Sequence, residues 1–239
     1  MTRASDDADR LERPHWWCEG RRRVLREVLR RQLLPRTGRR ILDVECGGGG
    51  MFPVLAEFGV VEAVEAREEA RAAARHPTLK VAPCRLPDEL PQGRWDLITA
   101  FDVLAHVDDP IAALRAMRAR LVFDGQVVVT TPAFPELWGR HDERHHHRRR
   151  YRRLELVSHL AAAGLRVTWV SYFDALLLPA LAGARLLERL VPDRAPAEPS
   201  TPPAALNRVL TEVFSSERLA LGLTRLPLGA SLVAVAQRG

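Results

Sequence analysis

The chain has 239 residues, 46% hydrophobic and 28% charged, which allows one sizeable core and excludes disorder throughout. Three cysteines, Cys18, Cys46 and Cys84, form no CxxC pair, so neither a disulfide framework nor a zinc ribbon is expected. The formal charge of +6 favours anionic partners, though arginine carries nearly all of it and Lys80 is the one lysine.

Residues 1–13 read as a polar leader without the apolar stretch of a signal peptide. A helix follows His15-Trp16-Trp17, with Val24, Leu25, Val28, Leu29 and Leu33 on one face; Pro35 and Gly38 end it. Arg40 to Val44 reads as a strand that opens into four glycines. A helix through Phe52 to Phe58 comes next, then a strand from Val60 to Glu65 and an alanine-rich helix from Arg67 to Arg75. Leu79 to Val81 is a brief strand and Trp95 to Ala100 another. Asp108-Asp109-Pro110 starts a helix whose buried stripe is Ile111, Leu114, Met117 and Leu121. Gly125 breaks it, and a strand from Gln126 to Thr131 follows.

Beyond Pro132 a histidine-rich loop runs from Glu136 to Arg150. A helix over Leu154 to Ala163, a strand over Leu165 to Val170 and a last strand over Ser231 to Ala236 complete the pattern. The late strands are expected as a hairpin-like pair on one sheet edge. This alternation predicts an α/β fold: a Rossmann-like, seven-stranded, mostly parallel sheet with helices on both faces and a small helical insertion near the C-terminus. The expected division is residues 1–35 as leader and helix, 36–172 with 223–239 as the α/β domain, and 173–222 as a helical cap interrupted by Pro192 to Pro203. The apolar run Ala175 to Ala184 contains Pro179 and Gly183 and is too short to span a bilayer, so a cytoplasmic protein is expected.

The sequence Ile41-Leu42-Asp43-Val44-Glu45-Cys46-Gly47-Gly48-Gly49-Gly50 carries the chemistry. Glycines after a strand let backbone N–H groups approach a ligand, and Glu65, about twenty residues on, ends the next strand where an acid can accept ribose hydroxyls. A dinucleotide is one reading. Two acids, Asp43 and Glu45, would repel its pyrophosphate, whereas they suit S-adenosylmethionine, which carries an ammonium and a sulfonium. Asp43 has a second reading, as a side-chain cap of the turn.

With Val64-Glu65, Trp95-Asp96-Leu97-Ile98, Phe101-Asp102-Val103-Leu104-Ala105-His106 and the strand Gln126 to Thr131, this turn resembles the class I S-adenosylmethionine-dependent methyltransferases over residues 36–171. The segment His141-Asp142-Glu143-Arg144, His147-Arg148-Arg149-Arg150-Tyr151 and Leu154-Glu155 is similar to that of small bacterial members whose substrates are unassigned. The resemblance implies a cofactor site of Asp43, Glu45, Cys46, Gly47, Gly49, Glu65, Cys84 and Asp102. Glu45 stands where the family pattern has its first glycine, Cys84 falls at the adenine-side position, and Ala105 sits where the subgroup often has Glu. Cys46 and Cys84 also read as small buried apolar residues.

Methyl transfer to oxygen or nitrogen calls for a base, and histidine suits it at neutral pH. His106 and His141 are the expected bases, chosen from a set that includes His145, His146 and His147. His145, Arg148, Arg149 and Tyr151 are expected to meet the acceptor, an anionic or lipid-linked small molecule. No metal is expected, since the familiar helix-borne histidine pair is missing. The leucines from Leu176 to Leu190 read either as helix packing or as a surface for peripheral membrane contact. The arginine cluster lacks interleaved aromatics, which argues against a nucleic-acid partner. Two alternatives stay open: a relative of this fold with other or lost chemistry, and a non-enzymatic basic protein that associates with nucleic acid or membrane.

Overall fold

The computed structural model describes residues 15–74, 76, 78–190 and 202–238; the expected leader and most of the Pro192 to Pro203 segment lie outside them. Seven strands form one sheet: β1 (Arg40–Val44), β2 (Val60–Glu65), β3 (Val81–Pro83), β4 (Trp95–Phe101), β5 (Leu121–Pro132), β6 (Leu165–Phe173) and β7 (Ser231–Arg238). Their order is β3-β2-β1-β4-β5-β7-β6. Every pairing is parallel except the two made by β7, which is antiparallel to both β5 and β6. The expected late pair is therefore present, with β7 inserted inside the sheet and β6 at its edge.

The helices are α1 (Trp16–Gln32), α2 (Phe52–Leu55), α3 (Glu68–Ala73), α4 (Pro110–Ala119), α5 (Arg140–Arg144), α6 (Arg153–Ala162), α7 (Leu178–Leu190) and α8 (Ala204–Leu223). Side chains alternate along the strands and so build two cores. Ile98, Val127, Val129 and Ala234 face α4 and α6, where Leu114, Met117, Leu156 and Leu160 meet them. Leu97, Val128, Val233 and Val235 face α1 and α8, packing with Val24, Leu25, Val28 and Phe214.

Several boundaries differ from the sequence reading: α2 stops at Leu55, α5 stands inside the expected histidine-rich loop, β6 runs on to Phe173 and β7 to Arg238, and β3 and β5 start elsewhere. β3 lies at Val81–Pro83 because its register is set by β2, with Ala63 opposite Val81 and Glu65 opposite Pro83. β5 starts at Leu121, which pairs with Trp95 of β4; regular pairing resumes only at Gln126 opposite Leu97. Leu121 thus belongs to the strand and α4 stops at Ala119. Asp124, at φ 62°, helps the intervening residues bulge out.

The first turn of α1 is capped by one neighbouring and one distant side chain. The His15 ring accepts the Trp17 N–H at 3.3 Å, and Asn207 of α8 accepts the Trp16 N–H at 2.8 Å, so two orphan donors of the first turn are satisfied. Gly20 lets α8 approach: a Cβ there would stand 2.6 Å from Cδ1 of Phe214. Among the described residues no helix is long and apolar enough to cross a membrane.

Candidate active site

Parallel strands β1, β2, β4 and β5 bring their C-terminal ends to one edge, the edge where open α/β sheets gather ligands. Asp43 and Thr99 are register partners on β1 and β4, and the Thr99 hydroxyl donates to Asp43 Oδ1 at 2.6 Å. Asp43 is buried there. The turn beyond β1 keeps contact with β2 through Cys46 N–H to the Val64 carbonyl, 3.1 Å, and closes on itself through Gly49 N–H to the Cys46 carbonyl, 3.0 Å. Gly47 and Gly49 have φ of 57° and 82°, a region that favours glycine.

Glu65 is 1% exposed. Its Oε2 accepts the Gly47 N–H at 2.9 Å, and its Oε1 accepts the Arg67 N–H at 2.9 Å and the Arg67 guanidinium at 3.3 Å. Glu45 also holds a positive φ, 53°, which a residue with a Cβ adopts only at some cost. Its carboxyl reaches the Ala66 N–H at 3.4 Å and lies against Glu65; burial first, then the Glu65 charge, pushes it up to about 7. Cys84 follows β3 and is buried in the core, where desolvation and then Glu45 push its thiol up to about 11. Asp43, Glu45, Cys46, Gly47, Gly49 and Glu65 are thus brought together, with Cys84 packed beneath them.

Asp102, at the end of β4, has φ 63° and takes a different set of partners. Arg21 of α1 reaches its Oδ2 at 2.7 Å, and Thr130 of β5 donates to its Oδ1 at 3.0 Å. The Arg21 guanidinium lies 4.9 Å from the Trp17 ring centroid and 5.9 Å from that of Phe101. This bracket fixes the start of α1 over the sheet edge.

The histidines converge across β4 and β5. Ring centroids of His106 and His147 are 4.8 Å apart, those of His141 and His145 4.3 Å, and those of His141 and His147 6.1 Å. His147 Nδ1 lies 2.8 Å from Oδ1 of Asp142, a fully buried carboxylate. Asp142 also accepts from Arg150 Nε at 2.9 Å and from the Gly139 N–H at 3.0 Å. Burial alone would raise its affinity for a proton, but the His147 and Arg150 hydrogen bonds outweigh it and hold the carboxyl below the ordinary aspartate range. His106 and His141 keep an exposed edge while protein crowds the rest of each ring. That desolvation, then the neighbouring His147 and His145 respectively, lowers both. His145 is lowered for the same reasons.

The remaining expected residues sew loops together. Arg148 donates from Nε to the His106 carbonyl at 2.9 Å and pairs with Asp108, and Arg149 donates to the Asp108 carbonyl at 3.0 Å. Tyr151 is fully buried, its hydroxyl donating to the Leu104 carbonyl at 3.2 Å. Among the described residues no group of three or more His, Cys, Asp or Glu side chains could hold a metal ion. Sequence reading missed the anchoring role of Asp142 and the part played by Arg21 and Thr130. The Asp142 to His147 spacing, one short helix and a turn, held a signal; the Arg21 to Asp102 pairing is a tertiary contact with none.

This strand order, with a glycine turn after β1 and an acid ending β2, defines a Rossmann-like fold of the methyltransferase type. Residues 17–170 match the family described as "Methyltransferase domain", and the chain belongs to it. Among its relatives, the ubiquinone biosynthesis O-methyltransferase of Pseudomonas aeruginosa (strain LESB58) is 30% identical over 104 residues, 39% of this chain and 44% of the relative. That of Bordetella avium (strain 197N) is 34% identical over 103 residues, 39% and 43% of the two chains. The match therefore spans under half the length of these relatives. Two solved structures share the fold. One is a complex of the Haloferax volcanii Trm112 methyltransferase activator with a methyltransferase, at TM-score 0.62 and 15% identity over 98% of this chain and 95% of that one. The other is Haemonchus contortus phosphoethanolamine N-methyltransferase 2 with S-adenosyl-L-methionine, at TM-score 0.61 and 16% identity over 96% and 57%.

Proposed function

We propose that this chain is a cytoplasmic enzyme that transfers the methyl group of S-adenosylmethionine to an oxygen or nitrogen of a small acceptor. The observation that carries the reading is the junction between Glu65 and the glycine turn, the 2.9 Å bond from the Gly47 N–H. It joins a buried acid directly to the half-buried glycine turn at the sheet edge. The donor set fits the cofactor: Asp43, Glu45 and Glu65 are three carboxyl groups around a site for a cation, and Glu65 Oε2, which accepts the Gly47 N–H, has a second lone pair to offer a ribose hydroxyl.

The cofactor supplies an electrophilic methyl group when bound. Gly47 and Gly49 give it close backbone passage, Glu65 orients its sugar, and Asp43 with Glu45 favours its positive charge. On the acceptor side His147 takes the proton. Asp142 fixes its Nδ1 as donor, which leaves Nε2 as the acceptor, and stabilises the imidazolium that forms. His106 and His141, both lowered, stay neutral with their rings packed edge-on against it. The relatives named as ubiquinone biosynthesis O-methyltransferases support an oxygen acceptor. The outward leucines Leu176, Leu186 and Leu190, 55%, 58% and 70% exposed, support peripheral contact with membrane during its capture.

Calorimetry with S-adenosylhomocysteine tests the cofactor site: wild type gives saturable heat, and Glu65→Ala loses it. Absence of heat in the wild type overturns the reading. One observation favours a second reading, a family member with other or lost chemistry: the Glu45 carboxyl occupies Glu65's surroundings, where a ribose must compete with it. Methyl transfer measured for wild type and Glu45→Gly separates the two.

A further inference from the structure

α7 lies along the loop that follows β5 and turns Arg185 toward the histidine segment. The guanidinium packs on the backbone of Gly139: a Cβ there would be 2.7 Å from Arg185 Nη1 and 2.7 Å from Glu188 Oε2. Gly139 is extended, at φ −164°, so the glycine serves space and not a special turn. It is also the residue whose N–H anchors Asp142, so Arg185 sits one residue from the Asp142–His147 pair and is among the charges felt by His141.

Arg185 is buried, 7% exposed, yet its donors are incompletely used. Nη1 meets both carboxylate oxygens of Glu188, each at 2.9 Å, while the buried Nε has no partner. Glu188 is the more open member, with side-chain exposure of 34% against 9%. The planar fork of arginine binds an oxyanion best through two parallel bonds, one of which uses Nε. Glu188, the more exposed partner, binds Nη1 alone and leaves the Nε edge of the guanidinium, where that fork lies, unmet.

We propose that Arg185 is the oxyanion anchor of the acceptor site, with Glu188 standing in for a carboxylate or phosphate group of the acceptor. Binding swings Glu188 out to water and gives the incoming oxyanion both Nε and an Nη of Arg185. The reactive hydroxyl or amine of the same molecule then lies toward His147. This rests on the methyltransferase reading and narrows its substrate to acceptors that carry an acidic group close to the methylated atom. Arg148 and Arg149 do not compete for this role, because their guanidinium groups are held by the Asp108 loop. The leucines on the same helix point outward, so the oxyanion has two sources, a soluble metabolite or a lipid headgroup.

Inorganic phosphate is the probe, titrated into the full chain by calorimetry, with S-adenosylhomocysteine titrated into the same samples. Wild type binds phosphate saturably, Arg185→Gln weakens it by about tenfold or more, the scale of one charge-assisted contact, and Glu188→Gln tightens it by removing the internal competitor. The opposite signs matter, since a purely structural pair would give loss in both variants. Phosphate binding that ignores Arg185→Gln while S-adenosylhomocysteine still binds overturns the proposal. Should Arg185→Gln fail to fold, Glu188→Gln decides alone: no tightening overturns it. If wild type fails to bind S-adenosylhomocysteine but still shows Arg185-dependent phosphate binding, the methyltransferase reading falls and the anchor stands. Vesicles of phosphatidylcholine with and without phosphatidic acid separate the sources: retention that needs both phosphatidic acid and Arg185 assigns a lipid headgroup, and phosphate binding without such retention assigns a soluble acceptor.

Discussion

Glu45 and Glu65, from the ends of neighbouring strands, press their carboxyl groups together beside the Gly47 N–H, and Glu45 does so from a backbone conformation that glycine would hold without cost. Two anions at that range cannot both ionise freely, so Glu45 keeps its proton to about pH 7. A cation placed between them would release it. The pair is therefore costly when empty and favourable when a positively charged ligand arrives.

The sign of the pH effect follows from the raised value. Between 4.5, where Glu45 would titrate unfolded, and about 7, the folded chain holds the extra proton, so stability falls as pH rises and then levels off. The full cost is roughly 3 kcal/mol at most. Urea unfolding at pH 5 and pH 8 is expected to show this loss in wild type and to show most of it gone in Glu45→Gln. Equal pH dependence in the two would remove the carboxyl pair as its cause.

Glu45→Gly relieves both the strained φ, worth about 1 kcal/mol, and the pair repulsion. A rise in melting temperature is expected in the absence of ligand. S-adenosylhomocysteine carries no sulfonium, so its affinity is expected to rise as well, the freed Glu65 being available to the ribose.

Asp142→Asn keeps the shape of the residue and removes the charge that fixes His147. Methyl transfer is expected to fall by about a hundredfold to ten-thousandfold, the range for losing a positioned base, with S-adenosylhomocysteine affinity unchanged. His147→Gln is expected to match it, and the double variant to lose no more than either single one. Additive losses would show that the two act separately.

Gly20→Ala drives a methyl group into the Phe214 ring, 2.6 Å away, and is expected to destabilise by about 1–3 kcal/mol. Gly20→Ala with Phe214→Leu is expected to recover part of that loss. Thermal denaturation of the single and double variants reads it, and simple additivity would place the fault elsewhere.

Most of the sheet could be read from the residues because parallel strands buried on both faces leave near-continuous apolar runs between glycine and proline signals. Where a local signal misled, a partner strand had overridden it: Leu121 fits the helical stripe of α4, yet pairing with Trp95 draws it into β5. The glycine turn, Glu65 and the histidine segment were likewise visible, since each is a short motif at a strand end. Which histidine is held, and by what, was not. His147 is singled out by Asp142, whose own position depends on Arg150 and Gly139, and no single-residue preference encodes that arrangement. Sequence alone suggests Arg148, Arg149 and Tyr151 as contacts for the acceptor; their partners in the fold, the Asp108 loop and the Leu104 carbonyl, are about forty residues away along the chain and come near only on folding.

β7 enters the sheet between β5 and β6, though both of those strands precede it by many residues. The borders that β5 and β6 offer to β7, Val127–Val129 and Trp169–Val170 among them, gain their native partner only once residues 231–238 have been made. Such borders invite pairing between nascent copies, so production at low temperature or with a holdase chaperone should raise the soluble yield.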